Sequence, residues 1–167
     1  MKKIKLLILI GLIIVIMYLL IPIQCFVITD LEKNHIVKVI PIIEDEIVVY
    51  RYIHSVSKTP IEEYLVAINK EIALQEVRYI DQGGAGMPEY GYGDEEFENM
   101  GDYFVIRNFN RSFEEVVINV QDKYENEFIF EDSRVFLPDV IENNKRILIK
   151  IDDLPRGQIW LTRFKGG

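Results

Sequence analysis

The sequence opens with a long apolar run that limits how the chain can fold. Residues 6–23 are eighteen consecutive positions without a charge, and three lysines lie within the first five residues. A helix needs about 20 predominantly apolar residues to cross a bilayer core, so the run predicts a transmembrane helix. Because basic residues precede the run and the next one is Lys33, we expect the N-terminus in the cytoplasm. The prediction is a single-pass cell-membrane protein, with an N-terminal anchor over 1–24 and an exported domain over 25–167.

Two other forms of this segment remain open. A cleaved secretory signal has the same basic start, but its apolar stretch is shorter and small residues precede the cut. A lipid on Cys25 also requires a cut after a small residue. The residues ahead of this cysteine are Ile21, Pro22, Ile23 and Gln24, which offer no such site. The sequence therefore favours the uncleaved anchor, and all three forms export the domain.

The exported domain is acidic. The three lysines are the only charged residues of the anchor, so residues 25–167 carry 16 Lys and Arg against 27 Asp and Glu, a net charge of about −11. This charge repels nucleic acids and anionic headgroups, and no nucleic-acid partner is expected. Cys25 is the only cysteine, so no disulfide can form within the domain and a hydrophobic core must hold it together.

The remainder of the chain has the pattern of an all-β domain. About ten short runs rich in β-branched and aromatic residues are separated by clusters of Gly, Pro, Asn and Asp. This spacing predicts an antiparallel β-sandwich or a partly open barrel. Residues 88–102 read as a long acidic loop, and Ser112 as the cap of a helical turn. The predicted strands include "CFVIT", "HIVKVIPI", "EIVVYRYI", "EYLVAI", "EIALQEVRYI", "DYFVIRNF", "EVVINV", "NEFIF", "RILIKI" and "QIWLTRF".

The segment "YRYIHSVSKTPIEEY", residues 50–64, concentrates polar groups between two of these strands. In an extended chain, Tyr50, Tyr52 and His54 share one face, and Ser55 lies on the other. A Ser–His nucleophile pair from neighbouring residues is therefore geometrically disfavoured, and no serine has a nucleophile-elbow context. With two histidines and one cysteine in the chain, a metal site is also not expected. We predict no catalytic residue, no metal ligand and no cofactor.

The end of this segment predicts a turn. Pro60 fixes its own φ and favours an extended conformation at the preceding Thr59. Such a turn would return the chain so that Glu62 or Glu63 lies near His54. The expected result is a half-buried imidazole that is hydrogen-bonded to a glutamate across the sheet.

A second polar segment, "GGAGMPEY" at 83–90, is rich in glycine. Gly83, Gly84 and Gly86 permit positive φ and leave peptide N–H groups uncovered, as in loops that hold anions. A tight turn or a bulge explains the same glycines equally well.

Together, "YRYIHSVSKTPIEEY", "GGAGMP" and "GDYFVIRN" resemble the bacterial domain-of-unknown-function family DUF1850. Its members carry an HSV-x-x-TPV-x-E element and a GAG-x-P element after an N-terminal membrane segment. Ile61 stands here where the family usually has valine. The matching residues are His54, Ser55, Val56, Thr59, Pro60, Glu63, Gly84, Ala85, Gly86 and Pro88.

The resemblance implies a genomic context. Members of this family are often encoded beside TRAP transporters of the TAXI type, which take up organic anions. The leading hypothesis is a membrane-anchored accessory or docking module, with the membrane subunit of the transporter or its substrate-binding protein as partner. The alternative is a small-anion binder in which the glycine loop holds a carboxylate while His54 and Thr59 orient it. An unrecognised enzyme is the third hypothesis. The candidate binding residues, for ligand or partner, are His54, Ser55, Thr59, Pro60, Glu62, Glu63, Gly84, Gly86 and Pro88.

Overall fold

The computed structural model of the chain describes residues 2–80, 86, 88 and 90–165. These residues form three α-helices and twelve strands, with a 3₁₀ turn at Asp122–Tyr124. The helices are α1 (Lys2–Leu20), α2 (Leu137–Val140) and α3 (Arg156–Lys165). The strands are β1 (Pro22–Asp30), β2 (His35–Pro41), β3 (Ile47–Ile53), β4 (Pro60–Ile68), β5 (Glu71–Tyr79), β6 (Glu96–Asn99), β7 (Phe104–Arg107), β8 (Ser112–Phe113), β9 (Glu115–Val120), β10 (Glu127–Ile129), β11 (Arg134–Phe136) and β12 (Lys145–Pro155).

Helix α1 confirms the predicted N-terminal apolar helix. It is long and apolar enough to cross a membrane over Lys3–Leu20, and none of that window is buried against the rest of the chain. Length and composition fit a membrane span and a signal sequence alike.

The strands form two antiparallel sheets that pack face to face. The small sheet has the order β2-β1-β12-β9, and the large sheet has the order β11-β10-β3-β4-β5-β7-β6, with β8 paired to β5. Neither sheet closes on itself, so the predicted sandwich is confirmed in its open form. The main core lies between the two sheets, where Phe26 of the small sheet meets Phe128 of the large sheet with ring centroids 5.0 Å apart.

The small sheet is buried on both faces at its centre. Along β1, Phe26 and Ile28 face the large sheet, whereas Cys25 and Val27 face the opposite side. Helix α3 covers this opposite side through Ile159, which is buried. This packing explains why β1 is apolar almost without alternation.

Two hairpins have turns that their sequences predict. Asn69 and Lys70, between β4 and β5, both have positive φ, at 51° and 67°. This is the signature of a two-residue type I′ turn, which matches the twist of the flanking strands. Between β1 and β2, the carboxylate of Asp30 accepts hydrogen bonds from the backbone N–H groups of Glu32 and Lys33, at 2.8 and 3.0 Å.

Three local predictions were wrong. "QIWLTRF", residues 158–164, is part of helix α3, because its apolar residues pack on the small sheet and on the end of α1. The acidic stretch 88–102 contains strand β6, which pairs with β7. Ser112 opens no helical turn, since it belongs to β8 and pairs with Ala73.

Candidate functional site

The segment between β3 and β4, residues 54–59, is a closed turn. The backbone N–H of His54 donates to the carbonyl of Thr59 at 2.9 Å, and that of Lys58 donates to the carbonyl of His54 at 3.1 Å. Lys58 has a φ of 59°, in the left-handed region that reverses the chain. The predicted turn is therefore present, and Pro60 begins the strand that follows it.

Side chains brace this turn from within. Nδ1 of His54 lies 3.0 Å from Oγ of Ser57, which lies 2.7 Å from Oγ1 of Thr59. The hydroxyl of Thr59 is buried and donates to the carbonyl of Ile80 at 3.5 Å. The three polar side chains thus connect the turn to the end of β5, immediately before the glycine segment. Ser55 and Val56 remain exposed at the tip of the turn.

The expected contact between His54 and a glutamate is replaced by the contact with Ser57. Glu62 lies opposite Arg51 on the outer face of the large sheet, with 3.8 Å between its Oε1 and Nε of the arginine. It also accepts a hydrogen bond from the hydroxyl of Tyr64 at 3.1 Å. The register of β3 and β4 explains the difference, because it pairs both glutamates with positions three or four residues before the histidine.

Glu63 lies on the inner face of the large sheet, between the two sheets. It is paired with Tyr50 across the strands, and its Oε1 accepts a hydrogen bond from the hydroxyl of Tyr52 at 3.0 Å. Burial raises the pKa of Glu63 above its ordinary value, and the hydrogen bond from Tyr52 only partly opposes this. Burial also raises the pKa of both tyrosines, so both are neutral at physiological pH. Tyr52 donates to Glu63, whereas the hydroxyl of Tyr50 accepts a hydrogen bond from the side-chain amide of Asn126 at 2.7 Å.

A cavity of about 440 Å³ lies against Glu63 at the open side of the sandwich. Its floor is formed by the inner face of β4 and β5, and its other wall by β9 and β12. The lining is apolar except at Tyr50, Glu63 and Glu115. The apolar lining residues are Leu65, Ile72, Leu74, Phe113, Val116, Val117, Ile118, Phe128 and Ile149.

The beginning of strand β4 lines a second, smaller hollow of about 280 Å³. Pro60 and Glu62 line this hollow on the outer face of the large sheet, together with Arg78, Tyr79 and Tyr103 among others. The candidate residues therefore do not converge on one site. His54, Ser57 and Thr59 build a turn, Pro60 and Glu62 face outward, and Glu63 faces the inter-sheet cavity.

The described residues of the glycine segment are Gly86, Pro88 and Tyr90. The hydroxyl of Tyr79 donates to the carbonyl of Pro88, and Gly86 has a φ of 79° with open space where a side chain would begin. The predicted positive φ is thus present at Gly86. Gly84, the remaining glycine among the candidate binding residues, lies outside the described residues.

Charged residues that sequence reasoning did not single out form a network on the outer face. Glu76 accepts hydrogen bonds from Arg78 and from Nε of Arg107, the second at 2.6 Å, and Arg107 also contacts Glu98. Partial burial opposes ionisation of Glu76, but the bonds from the two arginines outweigh it and lower its pKa. The pairing of β5 with β7 brings these groups together.

The fold and the site define the class of this protein. It is an open antiparallel sandwich that follows an apolar helix and carries a braced polar turn between β3 and β4. The sequence profile of the family described as Domain of unknown function (DUF1850) matches residues 48–137. The chain belongs to this family. The match begins in β3 and ends at Leu137, so it contains the turn, Glu63 and the glycine segment. Searches of curated proteins and of solved structures give no significant match.

Sequence reasoning missed two members of the site. Ser57 was not among the candidates, although its position three residues after His54 suits a contact within a turn. The tyrosines beside Glu63 were placed on one face of β3, but their contact with the glutamate depends on the pairing of β3 with β4. The contact could have been predicted by combining strand alternation with a hairpin in which Pro60 lies opposite Ile53.

Proposed function

We propose that the chain is a membrane-anchored module that acts outside the cytoplasm as an accessory or docking subunit of a TRAP-type transporter for organic anions. The main observation in support of the proposal is the very short connection between helix α1 and the β domain. Helix α1 ends at Leu20 and β1 begins at Pro22, so a single residue separates a candidate span from a central strand of the small sheet. A domain attached in this way is held at a fixed height and orientation, unlike one on a flexible linker.

A second contact supports this fixed orientation. The guanidinium of Arg156, at the start of α3, lies 4.6 Å from the ring centroid of Tyr18 and donates to its hydroxyl at 2.7 Å. Gly157 brings α3 close to Leu19, where an added Cβ would meet the backbone oxygen at 3.5 Å. Helix α3 therefore lies beside the end of α1 and would sit at the headgroup level of a membrane that α1 crosses.

The exposed residues near this junction suit a membrane surface. Trp160 and Leu161 of α3 are 62% and 60% exposed. Tryptophan is enriched where a membrane meets water, because its ring is apolar and its N–H is polar. The lysines at the start of α1 support an N-terminus in the cytoplasm, and the acidic domain suits a protein or cation partner outside.

The tip of the braced turn exposes part of the family motif to a partner. Val56 at its tip is 66% exposed, while the hydrogen bonds of His54, Ser57 and Thr59 hold the turn in one conformation. A preformed exposed turn loses little entropy on binding, which favours a docking role for the motif. The link to a TRAP transporter itself depends on membership of the family.

Co-purification tests the proposal. The tagged full chain is co-expressed with the membrane subunit and the substrate-binding protein of a TAXI-type transporter and isolated in a gentle detergent. We expect at least one of them to be retained and Val56→Glu to weaken the retention. An insertion of about ten Gly and Ser residues between Leu20 and Pro22 should also weaken it. The same insertion after Asn143, in an exposed turn, is the control. If the unmodified chain retains no transporter component, the proposal fails.

The small-anion binder remains an alternative proposal, with the glycine segment as its binding element. The inter-sheet cavity does not favour it, because an ionised Glu63 would repel a carboxylate there. A thermal-shift screen of the full chain with dicarboxylates and amino acids tests this alternative, and a screen without any shift would retire it.

A further inference from the structure

The inter-sheet cavity has the size and lining of a small-molecule site. Its volume of about 440 Å³ lies within the range of roughly 300–1,000 Å³ that ligand pockets occupy. Its walls come from both sheets, with Leu74 and Phe128 of the large sheet and Ile118 of the small sheet among the lining residues. An apolar cavity with few polar groups is the usual design of a pocket for an organic molecule.

The charged groups of the lining determine whether the cavity favours a positively or a negatively charged molecule. Glu63 is its inward-facing carboxyl group, whereas Glu115 is exposed on the outer face of β9, and no Lys, Arg or His is among the residues that line the cavity in the described part of the chain. The titratable groups beside Glu63 are Tyr50, which is paired with it across the strands, and Tyr52, which donates to it. The tyrosines are neutral, so the local field favours a cation and opposes an anion.

One carboxylate oxygen of Glu63 can accept a further hydrogen bond. Its Oε1 is occupied by the hydroxyl of Tyr52, whereas Oε2 accepts no hydrogen bond from any residue that the structure describes. A carboxylate in an apolar surrounding is costly unless it is paired. A positively charged N–H donor in the cavity would satisfy it.

We propose that this cavity binds a hydrophobic organic cation, a molecule with one ammonium group on a compact apolar body. The ammonium group donates to Glu63, and the apolar body packs against the residues of β5 and β9. This site is independent of the docking role proposed above, since it lies between the sheets, and the motif turn is not part of its lining.

Three probes with similar bodies and different head groups test the proposal. They are 2-phenylethylammonium, 2-phenylethanol and 3-phenylpropanoate, each titrated calorimetrically into the full chain in lipid nanodiscs. We expect the ammonium to bind, the alcohol to bind more weakly and the carboxylate not to bind. Lowering the pH should weaken ammonium binding once Glu63 takes up a proton, and should leave the alcohol unaffected.

Two variants of neighbouring residues provide the matched comparison. Glu63→Gln should lower the affinity for the ammonium by about tenfold or more, because the charge-assisted bond is lost. Glu62→Gln, one position away on the opposite face of the sheet, should leave the affinity unchanged. Ile118→Trp, which fills the cavity, should abolish binding of both the ammonium and the alcohol. The proposal is overturned if none of the probes binds, if the carboxylate binds as well as the ammonium, or if Glu63→Gln retains full ammonium affinity.

Discussion

The hydroxyl of Tyr52 donates a hydrogen bond to Glu63 across two neighbouring strands, and this pair lies between the sheets of the sandwich. The carboxyl group is held by a neutral donor instead of a cation, so burial dominates its ionisation and raises its pKa. The folded state therefore binds the proton of Glu63 more tightly than the unfolded chain does.

This relationship predicts that Glu63→Gln stabilises the fold at neutral pH. The neutral carboxyl contributes stability below its ordinary pKa of 4.5, and that contribution is lost as pH rises through the higher folded pKa. Glutamine keeps the acceptor for Tyr52 and carries no charge at any pH. We expect a rise in melting temperature on the order of 3 °C at about pH 7, and no difference at about pH 4. Glu62→Gln should show no such rise, and a lower melting temperature of Glu63→Gln at neutral pH would contradict the prediction.

The buried hydroxyl of Thr59 is expected to stabilise the motif turn. Thr59→Val keeps the shape of the side chain but leaves Ser57 and the carbonyl of Ile80 without their partner. We expect a loss of about 1–2 kcal/mol in the free energy of unfolding, measured by urea denaturation. Thr59→Ser should recover most of it, since the hydroxyl is restored. Ser55→Ala, at the exposed tip, is the control and should change the free energy of unfolding little. An equal loss in Thr59→Val and Ser55→Ala would show that the hydrogen bonds of Thr59 do not stabilise the turn.

The carboxylate of Asp30 is expected to stabilise the turn between β1 and β2 in a pH-dependent manner. Its bond from the backbone N–H of Lys33 is the main cause of its lowered pKa. The stability that it contributes is therefore present above its ordinary pKa of 3.8 and is lost as pH falls through the folded value. Asp30→Ala should cost about 1 kcal/mol at about pH 7 and much less at about pH 2, by urea denaturation at both. Asp94→Ala, at an exposed position, should be neutral at both.

The aromatic pair at the centre of the core is expected to dominate the stability of the domain. Phe128 is fully buried and packs against Phe26 and Tyr50. Phe128→Ala should lower the free energy of unfolding by about 3–5 kcal/mol, the usual range for such a truncation. Phe113→Ala, at a position that is 44% exposed, should cost less than about 1 kcal/mol. Comparable losses in the two variants would mean that the core is not centred on Phe128.

Local rules were sufficient for the elements whose structure is set by neighbouring residues. The apolar helix follows from its length, the turn at Asn69 and Lys70 from its residues, and the shared face of Tyr50 and Tyr52 from strand alternation. Each depends on interactions within about ten residues of sequence.

The remaining features depend on distant parts of the chain. Residues 158–164 alternate well enough for a strand, and only the uncovered face of β1, more than 130 residues earlier, makes them a helix. The cavity beside Glu63 requires β9 to pair with β12 and so to lie opposite β5, which no local pattern encodes. Glu63 was a candidate from its motif, but its inward direction follows from the register with β3.

The pairing of β1 with β12 joins the first strand of the domain to the last, from Pro22 opposite Pro155 to Asp30 opposite Ile147. The small sheet therefore cannot be completed until almost the whole chain has been synthesised. At ordinary rates of translation, β1 must wait on the order of ten seconds for its partner. During that interval the edge of β1 that later meets β12 has no partner, although β2 can already pair with its other edge.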